Sequence, residues 1–168
     1  INWRADSYIK LISNFHGIIK NNMEKQKNEN EIIFYCDGGS RGNPGPAAIG
    51  VFLPQLGKEY SKFLGKATNN EAEYQAYVFG LKKIKQLIGK EKSEKSEVEI
   101  RSDSELLVNQ LNGKYKIKEE KLIPFFIEIW NLKQDFKKVY FVHIPREENK
   151  RADAMVNKEL DSQRSKLF

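Results

Sequence analysis

Four acidic residues occupy positions where a carboxylate is unusual. Asp37 closes the apolar run EIIFYCD and Asp103 closes VEIRSD, so each follows the pattern of a buried strand. Glu73 lies in the first turns of a helical segment, and Asp153 begins the last helical segment. Two carboxylates on neighbouring strands repel each other unless a positive charge lies between them. If all four residues converge, their oxygens make a site for a hard cation.

Each of these residues also has a plainer interpretation when it is taken alone. An aspartate after a strand is a common turn residue, which covers Asp37 and Asp103. An acidic residue in the first turn of a helix is stabilised by the helix dipole, which covers Glu73 and Asp153. The order of the secondary-structure elements decides whether the four residues can meet.

Three strands come first in the main domain. The runs EIIFYCD, AAIGVFL and KEYSKFLGKA are joined by short connections, of which GGSRGNPGP is the first turn, and this favours antiparallel hairpins. A helix follows over TNNEAEYQAYVFGLKKIKQLI, where Thr68 and Glu71 have the spacing of a capping box. After this helix the sequence predicts a charged loop GKEKSEKSE, the strand VEIRSD, two helices, the strand VYFVHI and a final helix.

This order predicts an α/β domain whose five-stranded mixed sheet is flanked by helices. Right-handed crossovers place the first strand beside the fourth, in parallel, and the fifth strand beyond it. Parallel neighbours end at the same edge of a sheet, where the ligands of open α/β sheets also gather. Asp37 and Asp103 are therefore expected to meet there, and their helices bring up Glu73 and Asp153.

The chain is predicted to consist of an N-terminal appendage, residues 1–30, and a main domain, residues 31–168. The appendage contains one predicted amphipathic helix and then a polar linker over residues 21–30. The apolar residues of this helix recur at helical spacing and are Trp3, Tyr8, Leu11, Ile12, Phe15, Ile18 and Ile19. The helix either packs on its own domain or docks onto a partner, and the sequence leaves both open.

The composition favours a polyanionic partner. The chain of 168 residues carries a net charge of +6, although charge alone does not identify a nucleic-acid-binding protein. Its single cysteine, Cys36, excludes an internal disulfide and a cysteine-based zinc site. No apolar stretch reaches the length of a membrane-spanning helix. We therefore expect no membrane partner and a cytoplasmic location.

Four segments of the main domain resemble a known family. YCDGGSRGNPGPAAIG, TNNEAEYQA, IRSDSELLVNQL and PREENKRADAM are similar, in the same order and spacing, to the four motif blocks of type 1 ribonuclease H. The resemblance covers about residues 31–160, and four blocks in order are far more specific than one. It implies the ribonuclease H-like fold. It also implies an enzyme that hydrolyses the RNA strand of an RNA–DNA hybrid and leaves 5′-phosphate and 3′-hydroxyl ends.

The resemblance also implies a cofactor. The metal-binding carboxylates of the family fall on the same four residues, Asp37, Glu73, Asp103 and Asp153. In the family these carboxylates hold two Mg²⁺ ions, and we expect that Mn²⁺ can substitute. The Glu71 carboxylate stands two positions too early and is interpreted as the helix-capping residue.

Several polar residues match positions at which the family contacts the hybrid. Amide side chains both donate and accept hydrogen bonds, so they suit base edges and 2′-hydroxyls in a wide minor groove. The resemblance places Asn43, Asn69 and Asn70 at that groove, and it places Thr68 at a phosphate of the DNA strand. Asn43 also suits a plain turn, and Asn69 also suits a helix cap.

Two other segments are expected to touch the hybrid. Glycine permits close approach of a backbone, so the RNA is expected to lie against Gly38, Gly39 and Ser40. A basic cluster within NGKYKIKEEK is interpreted as contacting phosphates of the DNA strand, with a solvated face as the alternative. The lysines of this cluster are Lys114, Lys116 and Lys118.

His143 stands ten residues before Asp153, as a functional histidine does in many family members. That histidine is thought to assist protonation of the leaving group or release of the product. In the family it often lies on a glycine-rich loop, whereas His143 lies in FVHIPREEN, at the end of a strand and close to a proline. A catalytic role and a structural role both remain open.

Two other functions compete with this interpretation. The first is a hybrid-binding or scaffolding domain of weak activity, and the presence of all four carboxylates argues against it. The second is another nuclease of the same superfamily, such as a DNA-junction resolvase. The GNPGP turn and the TNNEAE block argue against the second function, because they resemble the hybrid-cutting branch.

Overall fold

The structure, a computed structural model, describes residues 30–165. The chain divides into two units, Ile1–Glu31 and Ile32–Phe168, and the first strand of the sheet begins at that boundary. The predicted N-terminal amphipathic helix lies outside the described residues, so the appendage over residues 1–30 stays a prediction. No helix among the described residues is long and apolar enough to cross a membrane.

Five strands and five helices make up the described part of the chain. The strands are β1 (Glu31–Ser40), β2 (Gly45–Leu53), β3 (Lys58–Ala67), β4 (Glu97–Ser102) and β5 (Lys138–His143). The helices are α1 (Asn69–Ile88), α2 (Lys90–Lys95), α3 (Glu105–Leu111), α4 (Ile123–Lys133) and α5 (Lys150–Ser165). Short 3₁₀ turns cover Pro54–Leu56, Glu120–Leu122 and Arg146–Glu148.

The strands form one mixed sheet in the order β3-β2-β1-β4-β5. β2 pairs antiparallel with both β1 and β3, while β4 and β5 pair in parallel. Alternation along β2 sends Ile49 and Val51 into the main core and Ala48 into a second cluster with Val156 and Leu160 of α5. The sheet therefore carries helices on both faces, and the predicted five-stranded α/β architecture is confirmed.

Helix α1 packs on the sheet through small and aromatic residues. Thr68 caps it as predicted, because its side chain accepts from Glu71 N while the Glu71 carboxylate accepts from Thr68 N. A Cβ at Gly80 would lie 2.4 Å from a ring carbon of Phe34, so only glycine lets the ring fit. Phe34 is fully buried, and burying such a side chain contributes about 1.5–3 kcal/mol.

Two local predictions were wrong. The charged segment GKEKSEKSE contains helix α2 rather than a loop, because Ser93 is buried and donates to Gly89 O while Lys95 pairs with Glu91 at helical spacing. Strand β1 also continues beyond Asp37 to Ser40, since β2 supplies pairing partners for these last residues. Asp37 therefore lies inside a strand, and the turn shrinks to residues 41–44.

Candidate active site

Four elements bring the predicted carboxylates to one place. Asp37 lies in β1, Asp103 directly follows the neighbouring strand β4, Glu73 lies in α1, and Asp153 lies in the first turn of α5. All four residues line a single pocket of about 290 Å³. The structure therefore brings the four residues together, as predicted. Their roles as metal ligands stay predictions.

A glycine in β1, Gly38, sets the distance between β1 and α1. A Cβ at Gly38 would lie 2.2 Å from the Ala72 carbonyl carbon and 2.3 Å from Glu73 N. Only glycine therefore allows the helix backbone to reach the strand, and this contact brings Glu73 beside Asp37. The side of Gly38 on which a Cβ would stand therefore faces helix α1, and the contact of its backbone with RNA stays a prediction. At Gly39 a Cβ would lie 3.3 Å from a methyl carbon of Val156.

Each carboxylate accepts a hydrogen bond from the protein. Gly38 N donates to Asp37 Oδ1 at 2.9 Å, and Ser104 Oγ donates to Glu73 Oε2 at 2.5 Å. Asp103 and Asp153 are held by side chains from the last loop and from helix α5. The donors are Asn149 Nδ2 to Asp103 Oδ1 at 2.7 Å, Arg146 to Asp153 Oδ1 at 3.3 Å and Asn157 Nδ2 to Asp153 Oδ2 at 3.1 Å.

Burial raises the pKa of two of these groups. Burial raises the pKa of Asp37 from its ordinary value of 3.8 to about 7, and the charges of the other three acids add to the rise. Burial likewise raises the pKa of Glu73 from 4.5 to about 7, against the hydrogen bond from Ser104 that lowers it. The pocket therefore stores electrostatic repulsion that a cation would relieve.

The donor set of the pocket suits a hard divalent cation, because it consists of carboxylates without thiolate or imidazole. Within residues 30–165 no three His, Cys, Asp or Glu side chains stand close enough together to hold a metal ion. Glu73 and Asp103 accept hydrogen bonds from Ser104 and Asn149.

The sequence interpretation missed three side chains that hold the carboxylates, namely Ser104, Asn149 and Asn157. Two of them carried a usable signal. Ser104 directly follows Asp103, and Asn149 lies in the block PREENKRADAM four residues before Asp153. A polar residue so near a candidate ligand in a compact motif is a natural partner for that ligand.

Of the three predicted groove residues, Asn69 lines this pocket, and Asn43 is hydrogen-bonded to it. Asn43 Oδ1 accepts from Asn69 N at 3.1 Å, and Asn69 Oδ1 accepts from Ser40 N at 2.7 Å. Ser40 and Asn69 line the carboxylate pocket. Asn70 lies further along and donates to Glu119 Oε1 at 2.8 Å. The turn over residues 41–44 is thus tied to the start of α1, with Asn43 exposed.

The three lysines lie around a second pocket of about 500 Å³. Lys114, Lys116 and Lys118 are exposed and share its lining with Tyr115, half of which is exposed. We call this lysine-lined region the lysine surface. The hydrogen bond from Asn70 to Glu119, another lining residue, links the lysine surface to the start of α1.

His143 is not brought into the carboxylate pocket. It is the last residue of β5 and is exposed, and it does not line the pocket in the described part of the chain. Arg146, three residues further on, does line the pocket and contacts Asp153. Both interpretations of His143 therefore stay predictions.

The fold and the pocket are those of a ribonuclease H-like protein, and comparisons with known proteins agree. Residues 36–159 match the protein family described as reverse transcriptase-like. LC11-RNase H1, isolated from compost and solved in complex with an RNA/DNA hybrid, is 44% identical with a TM-score of 0.73. That alignment covers 79% of this chain and 98% of the other. The chain belongs to the type 1 ribonuclease H family.

Two curated relatives are similar over most of the chain. Ribonuclease HI of Halobacterium salinarum is 36% identical over 131 residues, which are 76% of this chain and 63% of that protein. Bifunctional protein Rv2228c of Mycobacterium tuberculosis is 31% identical over 137 residues, which are 79% of this chain but only 36% of that protein. The chain therefore spans about a third of the length of the mycobacterial relative. The ribonuclease H family generally depends on divalent metal ions.

Proposed function

We propose that this protein is an endoribonuclease that hydrolyses the RNA strand of RNA–DNA hybrids and leaves 5′-phosphate and 3′-hydroxyl ends. The observation that carries the proposal is the single pocket lined by Asp37, Glu73, Asp103 and Asp153 in a chain of the ribonuclease H family. The similarity to LC11-RNase H1, solved with an RNA/DNA hybrid, supports the choice of substrate.

Two Mg²⁺ ions, or Mn²⁺ in their place, are the proposed cofactors, and the four carboxylates are their proposed ligands. Divalent ions bound at such a site supply the positive charge that stabilises a phosphodiester as negative charge builds on its oxygens. The chain's own contribution is to hold the ligands in place. Ser104 fixes Glu73, Asn149 fixes Asp103, and the backbone amide of Gly38 fixes Asp37.

Substrate recognition is assigned to the rim of the pocket and to the lysine surface. Asn43, Asn69 and Asn70 are proposed to read the minor groove and its 2′-hydroxyls, and Thr68 is proposed to contact a phosphate of the DNA strand. The hydrogen bonds among Ser40, Asn43 and Asn69 support this, because they fix these amides before a substrate arrives. Backbone contact with the RNA is assigned to Gly38, Gly39 and Ser40. Phosphate contacts are assigned to Lys114, Lys116 and Lys118.

For His143 the proposal keeps two roles, assistance to the leaving group or a structural part of the last loop. Its exposed position at the end of β5 allows either one. Replacing His143 with alanine separates them, because a catalytic histidine affects kcat and a structural one affects thermal unfolding. The cytoplasmic location and the role of residues 1–30 stay predictions from the sequence.

A cleavage panel tests the proposed function. Matched substrates of RNA–DNA hybrid, double-stranded RNA, double-stranded DNA and a four-way junction are incubated with Mg²⁺ or Mn²⁺. We expect cutting of the hybrid in its RNA strand, and cutting of a chimeric strand only within its ribonucleotide stretch. Efficient cutting of the DNA duplex or the junction would overturn the proposal. Hybrid binding without cleavage in either metal would leave a scaffolding domain.

A further inference from the structure

Asn149 is the buried residue that directly precedes helix α5. Its side chain is fully buried, and Nδ2 donates to Cys36 O at 3.0 Å and to Asp103 Oδ1 at 2.7 Å. Both partners only accept hydrogen bonds, so the amide nitrogen must face them and the orientation of the side chain is fixed. One amide group therefore joins the backbone of β1 to the carboxylate that follows β4.

The backbone of the same residue reaches a third carboxylate-bearing element. Asn149 O accepts from Asp153 N at 3.1 Å, in the first turn of α5. Cys36, whose carbonyl accepts from Asn149, is the residue directly before Asp37. Asn149 thus contacts the Asp103 side chain, the Asp153 amide and the residue next to Asp37.

The remaining polar atom of Asn149 indicates that packing alone does not explain its presence. Asn149 Oδ1 is buried and has no hydrogen-bond partner in the described part of the chain. Buried polar atoms without a protein partner are uncommon, and each calls for an explanation. An apolar residue would fill this position without an unpaired atom, so the two hydrogen bonds of Nδ2 are what favour asparagine here.

We propose that Asn149 is a positioning residue, whose amide holds the Asp103 carboxylate in register with Asp37 and Asp153 so that the three bind divalent cations together. This inference rests on the proposed function of the pocket. Residues that hydrogen-bond a metal ligand typically affect metal affinity or activity by about 10–100-fold. Asn149 is therefore expected to act on the affinity for the ion through Asp103, without contacting the substrate.

Mn²⁺ binding without any nucleic acid tests this proposal. Asn149→Leu removes the donor while keeping the branched shape, and Asn149→Ser is a smaller second variant in case the first does not fold. Circular dichroism confirms folding, and electron paramagnetic resonance of free Mn²⁺ gives the affinity. We expect the affinity to fall by about 10–100-fold. The matched control is Asn112→Ala, since Asn112 Nδ2 also donates to a strand carbonyl, Phe141 O at 3.0 Å, away from the pocket.

Two further measurements separate positioning from simple stabilisation. In an Asp103→Asn background, Asn149→Leu should cause no additional loss of Mn²⁺ affinity, because both changes act on the same carboxylate. In the wild-type protein, the Asn149 side-chain amide resonances should shift during a Mg²⁺ titration. Steady-state cleavage should show a lower kcat at limiting Mg²⁺ and an unchanged KM for the hybrid.

Unchanged Mn²⁺ affinity in a folded Asn149 variant overturns the proposal. The proposal is also overturned if the Asn149 side-chain amide resonances of the wild-type protein do not shift when Mg²⁺ is added. Either result leaves the proposed function standing if the wild-type protein still cleaves the hybrid. Absence of metal binding or of hybrid cleavage in the wild-type protein would instead remove the proposed function itself. The two failures are therefore distinguishable.

Discussion

The carboxylate pocket and the lysine surface are two charged regions built in opposite ways. The four acids come from strand β1, the residue after strand β4 and two helices, and burial raises the pKa of Asp37 and Glu73 to about 7. The three lysines lie on one exposed segment that joins α3 to α4. Like charges are forced together in the first region and spread into solvent in the second.

This difference supports the proposed division of roles, with chemistry in the carboxylate pocket and affinity at the lysine surface. Like charges held together in a half-buried pocket are a strong and local source of attraction for a cation. Exposed charges interact weakly one at a time, but their contacts with phosphates add up and depend steeply on salt. Each region should therefore fail in its own way when it is mutated.

The largest effect is expected from Asp37→Asn and Asp103→Asn, which keep side-chain shape and remove charge. Loss of several kcal/mol of metal-dependent stabilisation should slow hybrid cleavage by at least about 100-fold, at 1.36 kcal/mol for each tenfold. Asp153→Asn should cost less, because Asp153 already shares its charge with exposed Arg146. Single-turnover cleavage measures the loss, with Glu105→Gln, at an exposed position of α3, as the control.

A near-normal rate in Asp37→Asn or Asp103→Asn would show that the pocket is not the site of chemistry. Hybrid binding, measured by fluorescence anisotropy without divalent ions, should survive in both variants. If hybrid binding were lost together with cleavage, the carboxylate pocket would also contribute to affinity, and the proposed division of roles would be wrong.

The next effect concerns the lysine surface. Replacing its three lysines with alanine should flatten the dependence of log affinity on log salt by roughly one unit per lost phosphate contact. The rate at saturating hybrid should not change. The control is a second triple variant, which removes the same charge elsewhere by replacing Lys90, Lys92 and Lys95 of α2 with alanine. An identical slope in both triple variants would mean that only net charge matters and that the lysine surface is a solvated face.

A smaller effect is expected at Asn43, which accepts a hydrogen bond from the start of α1. Asn43→Ala should slow hybrid cleavage by about fivefold to thirtyfold, through the loss of one or two hydrogen bonds of ~1 kcal/mol each, with Mn²⁺ affinity unchanged. Asn43→Asp keeps the acceptor for Asn69 N. If the aspartate variant cleaves normally, Asn43 serves only to fix the start of α1 and does not read the groove.

The smallest effect is one on stability in the absence of metal. Because the pKa values of Asp37 and Glu73 are raised to about 7, the folded protein binds protons that the unfolded chain releases. Its free energy of unfolding should therefore decrease as the pH rises from about 4 to about 7. Asp37→Asn should reduce this decrease and raise the melting temperature at pH 8, by roughly 2–4 °C for each kcal/mol gained.

Circular dichroism melts in EDTA at pH 5 and pH 8 provide the measurement. The wild-type protein should lose more stability between the two values than Asp37→Asn does. Parallel losses in the two proteins would contradict the raised pKa of Asp37. Added Mg²⁺ should stabilise the wild-type protein at pH 8 more than at pH 5, since protons compete with the cation.

Much of the fold could be predicted because its signals are local. Apolar runs located the strands, Thr68 and Glu71 located the start of α1, and right-handed crossovers placed β4 beside β1. Helix α2 was missed because its charged sequence has no apolar face. It depends on one buried residue, Ser93, whose burial is a tertiary property that the sequence does not display.

The four carboxylates of the candidate site could be predicted from the sequence, but the contacts that hold them in place could not. The positions of Asp37 and Asp103 follow from where apolar runs stop, which a sequence shows directly. The role of Gly38 depends on the distance to α1, and the contacts of Asn149 depend on three elements meeting. The motif block could suggest Asn149 as a partner of a carboxylate, but which atoms it contacts depends on the assembled chain.

The short turn over residues 41–44 has a consequence for protein engineering. Asp37 is secured in the interior of a paired strand, whereas Asn43 lies on an exposed turn. A library at Asn43 can therefore vary the proposed substrate contact while the sheet keeps the acid in its place. Because Asn43 also accepts a hydrogen bond from the start of α1, the useful members of that library should be side chains that still accept one.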